Sequence, residues 1–384
     1  MSDNRVSIVR CESYSACRAA IDTALSYIGG MSAYVKKGDR VTIKPNYVAK
    51  RRPEDAATTH PDFLHAVICA VEEAGGIVTV AESPGGAYNP ALLKAVYKEC
   101  GAYEAIKGTN AVLDTDCRFS DAQLPEGRTI RSAQIISPIL DADVVISLPK
   151  LKTHAMTAYT GAVKNLFGVI PGTHKAELHF RLKDREPFCS MLVDLCERVR
   201  PALSIMDGIW GMEGNGPTSG TNRHMGLVMA AANPHALDLA ACEIIGYAPK
   251  EVATVAEAID RSLIPKSAYE LDIFGEELKN VLIKDVIKPE SHFNLLQLLN
   301  LPPKLNSFVQ GLLASRPKPD YSMCVGCGEC ARDCPPKAIK MVDNKPVIDK
   351  SECIRCFCCQ ELCPVHAMKI HRSIVNKFMV KVLK

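Results

Sequence analysis

Towards the carboxyl end, "CVGCGECARDCP" sets Cys324, Cys327, Cys330 and Cys334 at the spacing C-x2-C-x2-C-x3-C-P, and "CIRCFCCQELCP" repeats it with Cys353, Cys356, Cys359 and Cys363. Four thiolates spaced in this way suit a metal centre. The two-residue gaps let one tight loop wrap three ligands around a single inorganic core, Gly326 and Gly328 relieve the strain of that loop, and the wider gap carries the fourth cysteine away on a short helix. Pro335 and Pro364 end the two runs. Zinc is usually held by paired C-x2-C knuckles, so two complete four-cysteine combs favour iron-sulfur chemistry. Cys358 fits neither comb and reads as a spare thiol.

Over about residues 318–371 the chain resembles the two-cluster bacterial-type ferredoxin domain. The resemblance implies two [4Fe-4S] clusters with crossed ligation, the fourth cysteine of each comb serving the other cluster. One cluster would then use Cys324, Cys327, Cys330 and Cys363, and the other Cys353, Cys356, Cys359 and Cys334. It also implies low-potential one-electron transfer, fed by a redox partner protein or another low-potential donor. "KPVIDKSEC" between the combs resembles the hairpin of that family, with Val347 and Ile348 expected to cover a cluster.

A second constellation lies upstream. The 33 residues from Val144 to Ala176 hold four lysines (Lys150, Lys152, Lys164, Lys175), two histidines and no Asp or Glu. Clustered ammonium groups repel one another unless an anion neutralises them or burial lowers a pKa. A phosphate, a carboxylate or a phosphorylated cofactor is the expected filler. No G-x-x-x-x-G-K-[ST] accounts for it, and "GMEGNGP" (Gly211–Pro217) lacks the G-x-G-x-x-G spacing and reads as a mobile or cleft-lining loop.

Positioning falls to an alternation of strands and helices. Strands are expected at Val6–Val9, Val41–Ile43, Ile77–Val80, Val144–Leu148, Leu203–Met206 and Leu227–Met229, and helices at Pro61–Ala74, Pro90–Glu99 and Pro234–Ile245. Asn89-Pro90 and Asn233-Pro234 read as N-caps followed by a proline at the first helical position. The expected class is α/β, a mostly parallel sheet with flanking helices, plus a small C-terminal α+β ferredoxin domain. Such sheets place ligands at the carboxyl ends of their strands. Lys44-Pro45-Asn46, Glu82 to Gly86, Pro149 to His154 and Asp207-Gly208 all follow expected strands, so four loops are expected to converge on one cleft. "TAYTGAVKNLFGVI" has helical spacing that would return Lys164 towards it, and "LHFRLKDR" reads as solvated surface.

The totals bound the partners. Lys plus Arg number 46 against 43 Asp plus Glu, a balance that calls for no nucleic acid and leaves any anion site to local clustering. No run approaches the roughly 18 apolar residues of a membrane span, and Met1–Arg10 lacks a secretory layout, so a cytoplasmic protein without a transmembrane segment is expected. Of 17 cysteines, the eight before residue 243 are unpaired in spacing and read as reduced core thiols suited to an anaerobe or a well-reduced cell. The domains are expected at 1–312 and 313–384, with "RPKPD" near the boundary, apolar interdomain packing around 290–314, and a basic amphipathic tail after Ile370.

"IKPNYV", "ATTHPDFLHAVICAVEEAG", "AESPGG", "SLPKLKTHAMTAYTGAVKNLFGVIPGTHK", "MDGIWGMEGNGP" and "ANPHALDLAACEIIG" together resemble domain-of-unknown-function family 362, often joined to a ferredoxin domain. The resemblance implies an iron-sulfur protein of the α/β class and carries Lys44, Asn46, His60, Lys150, Lys152, His154, Lys164, Asn165, Lys175 and Asp207 as motif positions. The resulting expectation is an oxidoreductase passing electrons to an anionic small molecule in the cleft. His154 and His60 would supply protons, and Lys152 and Lys164 would polarise the anion. Lys44, Asn46, Lys150, Asn165, Lys175 and Asp207 would hold it. The alternative is a non-enzymatic electron carrier or assembly factor acting on a protein partner.

Overall fold

A computed structural model describes residues 3–290 and 315–371. The expected interdomain helices and basic tail fall on 291–314 and 372–384, outside the described residues. The body is built on strands β1 (Arg5–Arg10), β2 (Arg40–Lys44), β3 (Ile77–Val80) and β4 (Val112–Leu113), with β5 (Phe119–Gln123) and β6 (Ser132–Ile136) as a separate hairpin. It continues with β7 (Val144–Ser147), β8 (Lys150–His154), β9 (Ala158–Thr160), β10 (Leu203–Glu213), β11 (Thr221–Ala231) and β12 (Asp272–Gly275).

Among the described residues, ten of these strands form one sheet in the order β12-β1-β11-β10-β7-β2-β3-β4, with β8 on β10 and β9 on β8. The run from β10 through β7, β2 and β3 to β4 is parallel, whereas β11 pairs antiparallel with both β1 and β10. The class is α/β with a mostly parallel sheet. Helices cover both faces, which is why β2 and β7 read as short apolar runs without alternation. Cys17–Ser26 and Pro61–Glu73 pack with Ile43, Val80 and Ile146. Pro234–Ile244 packs with Leu227 and Met229, and Arg185–Val199 with Val145 and Ile136.

The caps explain where these helices start. Asn89 accepts from Leu92 N at 2.9 Å, and Asn233 from His235 N at 2.9 Å, each one residue ahead of a proline. His60 caps Pro61–Glu73 in the same manner, its Nδ1 accepting from Asp62 N.

Three local expectations are corrected. "PKLKTH" is not a loop: after a break at Leu148-Pro149 the chain resumes as β8, pairing Lys150 with Asp207 and Lys152 with Met212. β10 correspondingly runs on to Glu213, so Asp207 lies inside a strand rather than at its exit. "TAYTGAVKNLFGVI" is β9, then a helix of only Ala162–Asn165, then a 3-10 turn Leu166–Val169. Asp238 sets that start, its carboxylate accepting from Ala162 N, Val163 N and the Tyr159 hydroxyl.

The C-terminal part pairs β13 (Arg316–Pro319) with β16 (Met368–His371), and β14 (Ile339–Val342) with β15 (Lys345–Ile348), all antiparallel. Asp343 and Asn344 take positive φ at the β14–β15 turn, the conformation of a two-residue hairpin. Ile348 packs against the cysteines as expected, but Val347 points outward with 49% of its surface exposed, because successive strand residues face opposite sides.

Candidate functional site

β8 carries the site's chemistry on alternate positions. Lys150, Lys152 and His154 share one strand face, Leu151 and Thr153 the other, and all five are buried. The three basic side chains then part ways.

Lys150 closes a knot inside the body. Its Nζ lies 2.8 Å from Asp207 Oδ2 and 2.8 Å from the Tyr14 hydroxyl, and Asp207 also accepts from His60 N at 3.1 Å. The Tyr14 ring stacks on His60 with centroids 3.6 Å apart. Burial pushes Lys150 below the ordinary lysine value, and the Asp207 charge opposes that shift. His60, Lys150 and Asp207 therefore do not join the cleft expected to contain them. They pin β8, β10 and the N-terminus of Pro61–Glu73 to one another.

Lys152 and His154 reach a cavity of about 430 Å³ between the body and the cysteine-rich part. Lys44 and Glu82, at the exits of β2 and β3, form its floor as a buried ion pair 2.7 Å long. Glu82 also accepts from Tyr47 N and Ser83 N at 2.8 Å each, and Lys44 donates to Pro45 O, so both charges are satisfied. Asn165 donates to Ser147 Oγ and Lys44 O and accepts from Asn46 Nδ2 at 3.0 Å. Asn46 Oδ1 is buried on this wall without a partner, an acceptor open to a bound group or water.

Lys175 bonds to Ser83 O, Ser83 Oγ, Pro84 O and Ile170 O between 2.6 and 3.2 Å. An ammonium has three protons, so this side chain is spent on the Ser83-Pro84 loop rather than kept for a ligand. Lys152 is different: only 1% exposed, it donates to Ala57 O and meets no carboxylate within ion-pair distance among the described residues. Burial, then the charges of Lys150 and Lys164, push it down to about 7. Lys164 is half-buried and also without an ion pair among the described residues, its Nζ 5.5 Å from the centre of the Phe167 ring. Of the four lysines in the carboxylate-free stretch, Lys152 and Lys164 are thus the unspent pair.

His154 Nδ1 accepts from Met156 N and Thr157 N, which leaves the proton of the neutral ring on Nε2. That nitrogen is 3.2 Å from Glu361 Oε1, on the segment between Cys359 and Cys363. Burial and the Lys164 charge hold His154 down at about 4. Burial would raise Glu361, but His154 and Lys164 outweigh it and hold the carboxyl at about 2. A carboxylate from the cysteine-rich part therefore answers the lysine cluster in part. Sequence alone does not mark Glu361 and Glu82 as counter-charges, because each lies far from the lysines along the chain. The signal available was a lone acid within "CQELC". His179, expected on a solvated face, is buried on the same cavity, its ring stacked 4.3 Å from Phe188.

The cysteines fall into two groups. Cys324, Cys327, Cys330 and Cys363 surround one small cavity, otherwise lined by apolar side chains such as Val325, Met341 and Met368. Cys334, Cys353, Cys356 and Cys359 surround a second, with Pro317, Ile339 and Phe357. None of the eight is in a disulfide. Four sulfur donors around each of two apolar cavities fit a pair of [4Fe-4S] clusters with crossed ligation. Cys358 belongs to neither group and lies, with Cys334, on the wall of the large cavity.

The docking of the two parts is specific. Arg51 donates to Cys363 O at 2.8 Å, Thr218 to Glu361 O at 3.0 Å, and Gln360 Nε2 to Asn215 O at 2.8 Å. Leu362 packs so closely on Gly85 that an added Cβ there would stand 2.6 Å from its Cδ2. "GMEGNGP" supplies the end of β10 and then this docking surface, with Pro217 on the cavity.

A sheet of this order with a four-cysteine pair beside it defines a class, an α/β body joined to an iron-sulfur module. Residues 41–243 match the family described as "Domain of unknown function (DUF362)", and residues 316–364 match the "4Fe-4S dicluster domain". The first match spans just over half of the chain, and the chain belongs to the DUF362 family. A relative, "Thylakoid-associated protein sll1697" of Synechocystis, is 36% identical over 272 residues, covering 68% of this chain and 81% of its own length. Among solved structures, the lactate racemase apoprotein of Thermoanaerobacterium thermosaccharolyticum overlaps with a TM-score of 0.39 at 14% identity, over 62% of this chain and 56% of that one. A Thermotoga maritima protein overlaps with a TM-score of 0.33 at 11% identity, over 53% and 52%. Among the described residues no helix is long and apolar enough to cross a membrane.

Proposed function

We propose that this protein is an iron-sulfur oxidoreductase that passes single electrons to an anionic small molecule bound in the cavity between body and ferredoxin domain. One observation carries the reading: the wall that presents Lys152 and Lys164 faces a wall that includes Cys334, from the second cysteine group. Clusters held by the two cysteine groups would supply low-potential single electrons.

The residues of the chain do the rest. Lys164 and Lys152 attract and orient the anion, which enters a site where Lys44 is paired with Glu82 and Lys175 is held by neutral oxygens. Lys44, Asn165 and Lys175 hold the floor and its loops in place through the bonds described above. Lys152, poised near 7, is better suited to deliver a proton at neutral pH than His154, which is neutral there, or His60, which lies outside the cavity. Met156 N and Thr157 N fix the ring of His154, and Glu361 places a carboxylate on the cavity wall 3.2 Å from its Nε2. The cysteines of the body, none of them in a disulfide, suit a reducing cytoplasm, with electrons delivered by a protein or other low-potential donor.

The test is anaerobic. Protein reduced until its broad absorbance near roughly 400 nm bleaches, then freed of excess reductant, is offered the small-molecule fraction of a cell extract. Recovery of the absorbance supports a reductase. Persistent bleaching, relieved only by the protein fraction, supports an electron carrier acting on a protein partner and sinks the proposal.

A further inference from the structure

Arg51 lies on the body, in the loop after β2, yet it bonds to the ferredoxin domain. Its Nη2 donates to Cys363 O at 2.8 Å and Glu361 O at 3.1 Å, and its Nη1 to Lys50 O at 3.0 Å. It is 4% exposed, its Nε is buried without a partner, and no carboxylate lies within ion-pair distance among the described residues. A guanidinium so placed keeps its full positive charge. Burying a cation without a counter-ion is costly, and backbone carbonyls compensate it only in part. The bonds serve docking, but neutral donors such as Thr218 and Gln360 already do that at the same surface. What a neutral donor cannot supply is charge next to a cluster ligand.

We propose that Arg51 is a positioning residue that selectively raises the reduction potential of the cluster held by Cys324, Cys327, Cys330 and Cys363. Reducing a cluster adds one negative charge, and a fixed cation nearby in a weakly polar interior stabilises the reduced form more than the oxidised one. Because Arg51 bonds to the Cys363 carbonyl and to none of Cys334, Cys353, Cys356 or Cys359, the effect falls mainly on one cluster. The body thereby sets the driving force between the two clusters, and that setting exists only while the ferredoxin domain is docked. The proposal rests on the cysteine grouping and not on what the cavity binds, so either can fail without the other.

The test is a potentiometric titration of the full chain with both clusters in place, followed by electron paramagnetic resonance so that the two couples are resolved. Arg51→Gln should lower one couple clearly, so that at its wild-type midpoint the reduced fraction falls several-fold, and should move the other less. Arg51→Lys, which keeps the charge, should restore most of the difference. Thr218→Val, which removes a bond to the same Glu361 carbonyl and no charge, should leave both couples in place. Unchanged couples in Arg51→Gln, equal shifts of both, or a loss in Arg51→Lys or Thr218→Val as large as in Arg51→Gln would overturn the proposal. Should Arg51→Gln fail to retain its clusters, the two milder variants still decide: both couples in place in Thr218→Val with at most a small shift in Arg51→Lys supports the role of charge, and a couple lowered several-fold in reduced fraction in either one refutes it.

Discussion

His154 Nε2 lies 3.2 Å from Glu361 Oε1, a contact that joins the last residue of β8 to the segment between Cys359 and Cys363. The imidazole is neutral at pH 7 and neither Nε2 nor Oε1 has a hydrogen-bond partner among the described residues, so the contact is an approach of a polar ring to a carboxylate rather than a hydrogen bond or a full ion pair. Replacing Glu361 with Gln should cost less than the roughly 1.5 kcal/mol of a good neutral hydrogen bond, read by denaturant unfolding under anaerobic conditions. The same change removes a negative charge from the cavity, so inorganic phosphate should bind more tightly to the variant than to the wild type. A variant that is both less stable and weaker in phosphate binding would contradict this assignment of charge.

Lys152 gives the cavity a pH dependence with a defined sign. Below about pH 7 it is protonated in both the folded and the unfolded chain and contributes no slope. Above that value the folded chain has lost the proton while the unfolded chain, with an ordinary lysine value of about 10.4, retains it. Stability should therefore rise with pH from 7 upward, and anion affinity should fall over the same interval. Lys175, also near 7, contributes in the same sense to stability. Comparing Lys152→Met with wild type between pH 6.5 and about 8.5, below the usual cysteine range, isolates the effect. The variant should show a flatter rise in stability and a flatter fall in phosphate affinity.

The Lys44–Glu82 pair is closed on itself, with both side chains at most 2% exposed. Glu82→Gln should destabilise the body by about 3–5 kcal/mol because an unpaired ammonium is left buried. Lys44→Met combined with Glu82→Gln should recover part of that loss. A double variant less stable than Glu82→Gln alone would mean that the pair is not what Glu82 chiefly supports.

The cysteine grouping predicts an asymmetry between neighbours. Cys334→Ser should lose one cluster and lower the iron content by about half, since each comb serves two clusters of four irons. Cys358→Ser, on the cavity wall, should leave the iron content unchanged. Iron and acid-labile sulfide determinations decide both.

What was legible in the sequence follows the range of the interactions involved. The cysteine combs, the Asn-Pro caps and the strands of the parallel run are local patterns, read from spacing alone. β8 departs from the expected loop: its alternation of Lys150, Lys152 and His154 is a strand signal, but lysines buried on a strand break the usual apolar pattern. The short helix at Ala162 starts where Asp238, 76 residues away, caps it, and no local signal announces that. The sequence marks the lysine stretch by its missing carboxylates but does not divide it. Lys150 is answered by Asp207, Lys175 by backbone carbonyls and Lys152 by almost nothing, and only the fold brings those partners together.

The most direct measurement is the rate at which anaerobically reduced protein recovers its absorbance in the small-molecule fraction, compared between wild type and Lys164→Ala at equal cluster content. Lys164 has no hydrogen bond or ion pair among the described residues and only an approach of 5.5 Å to the centre of the Phe167 ring, so its loss should leave the fold and the clusters intact. The account predicts that recovery slows at least tenfold, about 1.4 kcal/mol of lost binding or orientation. Equal rates in the two proteins would show that electrons leave by a route that does not pass through the cavity.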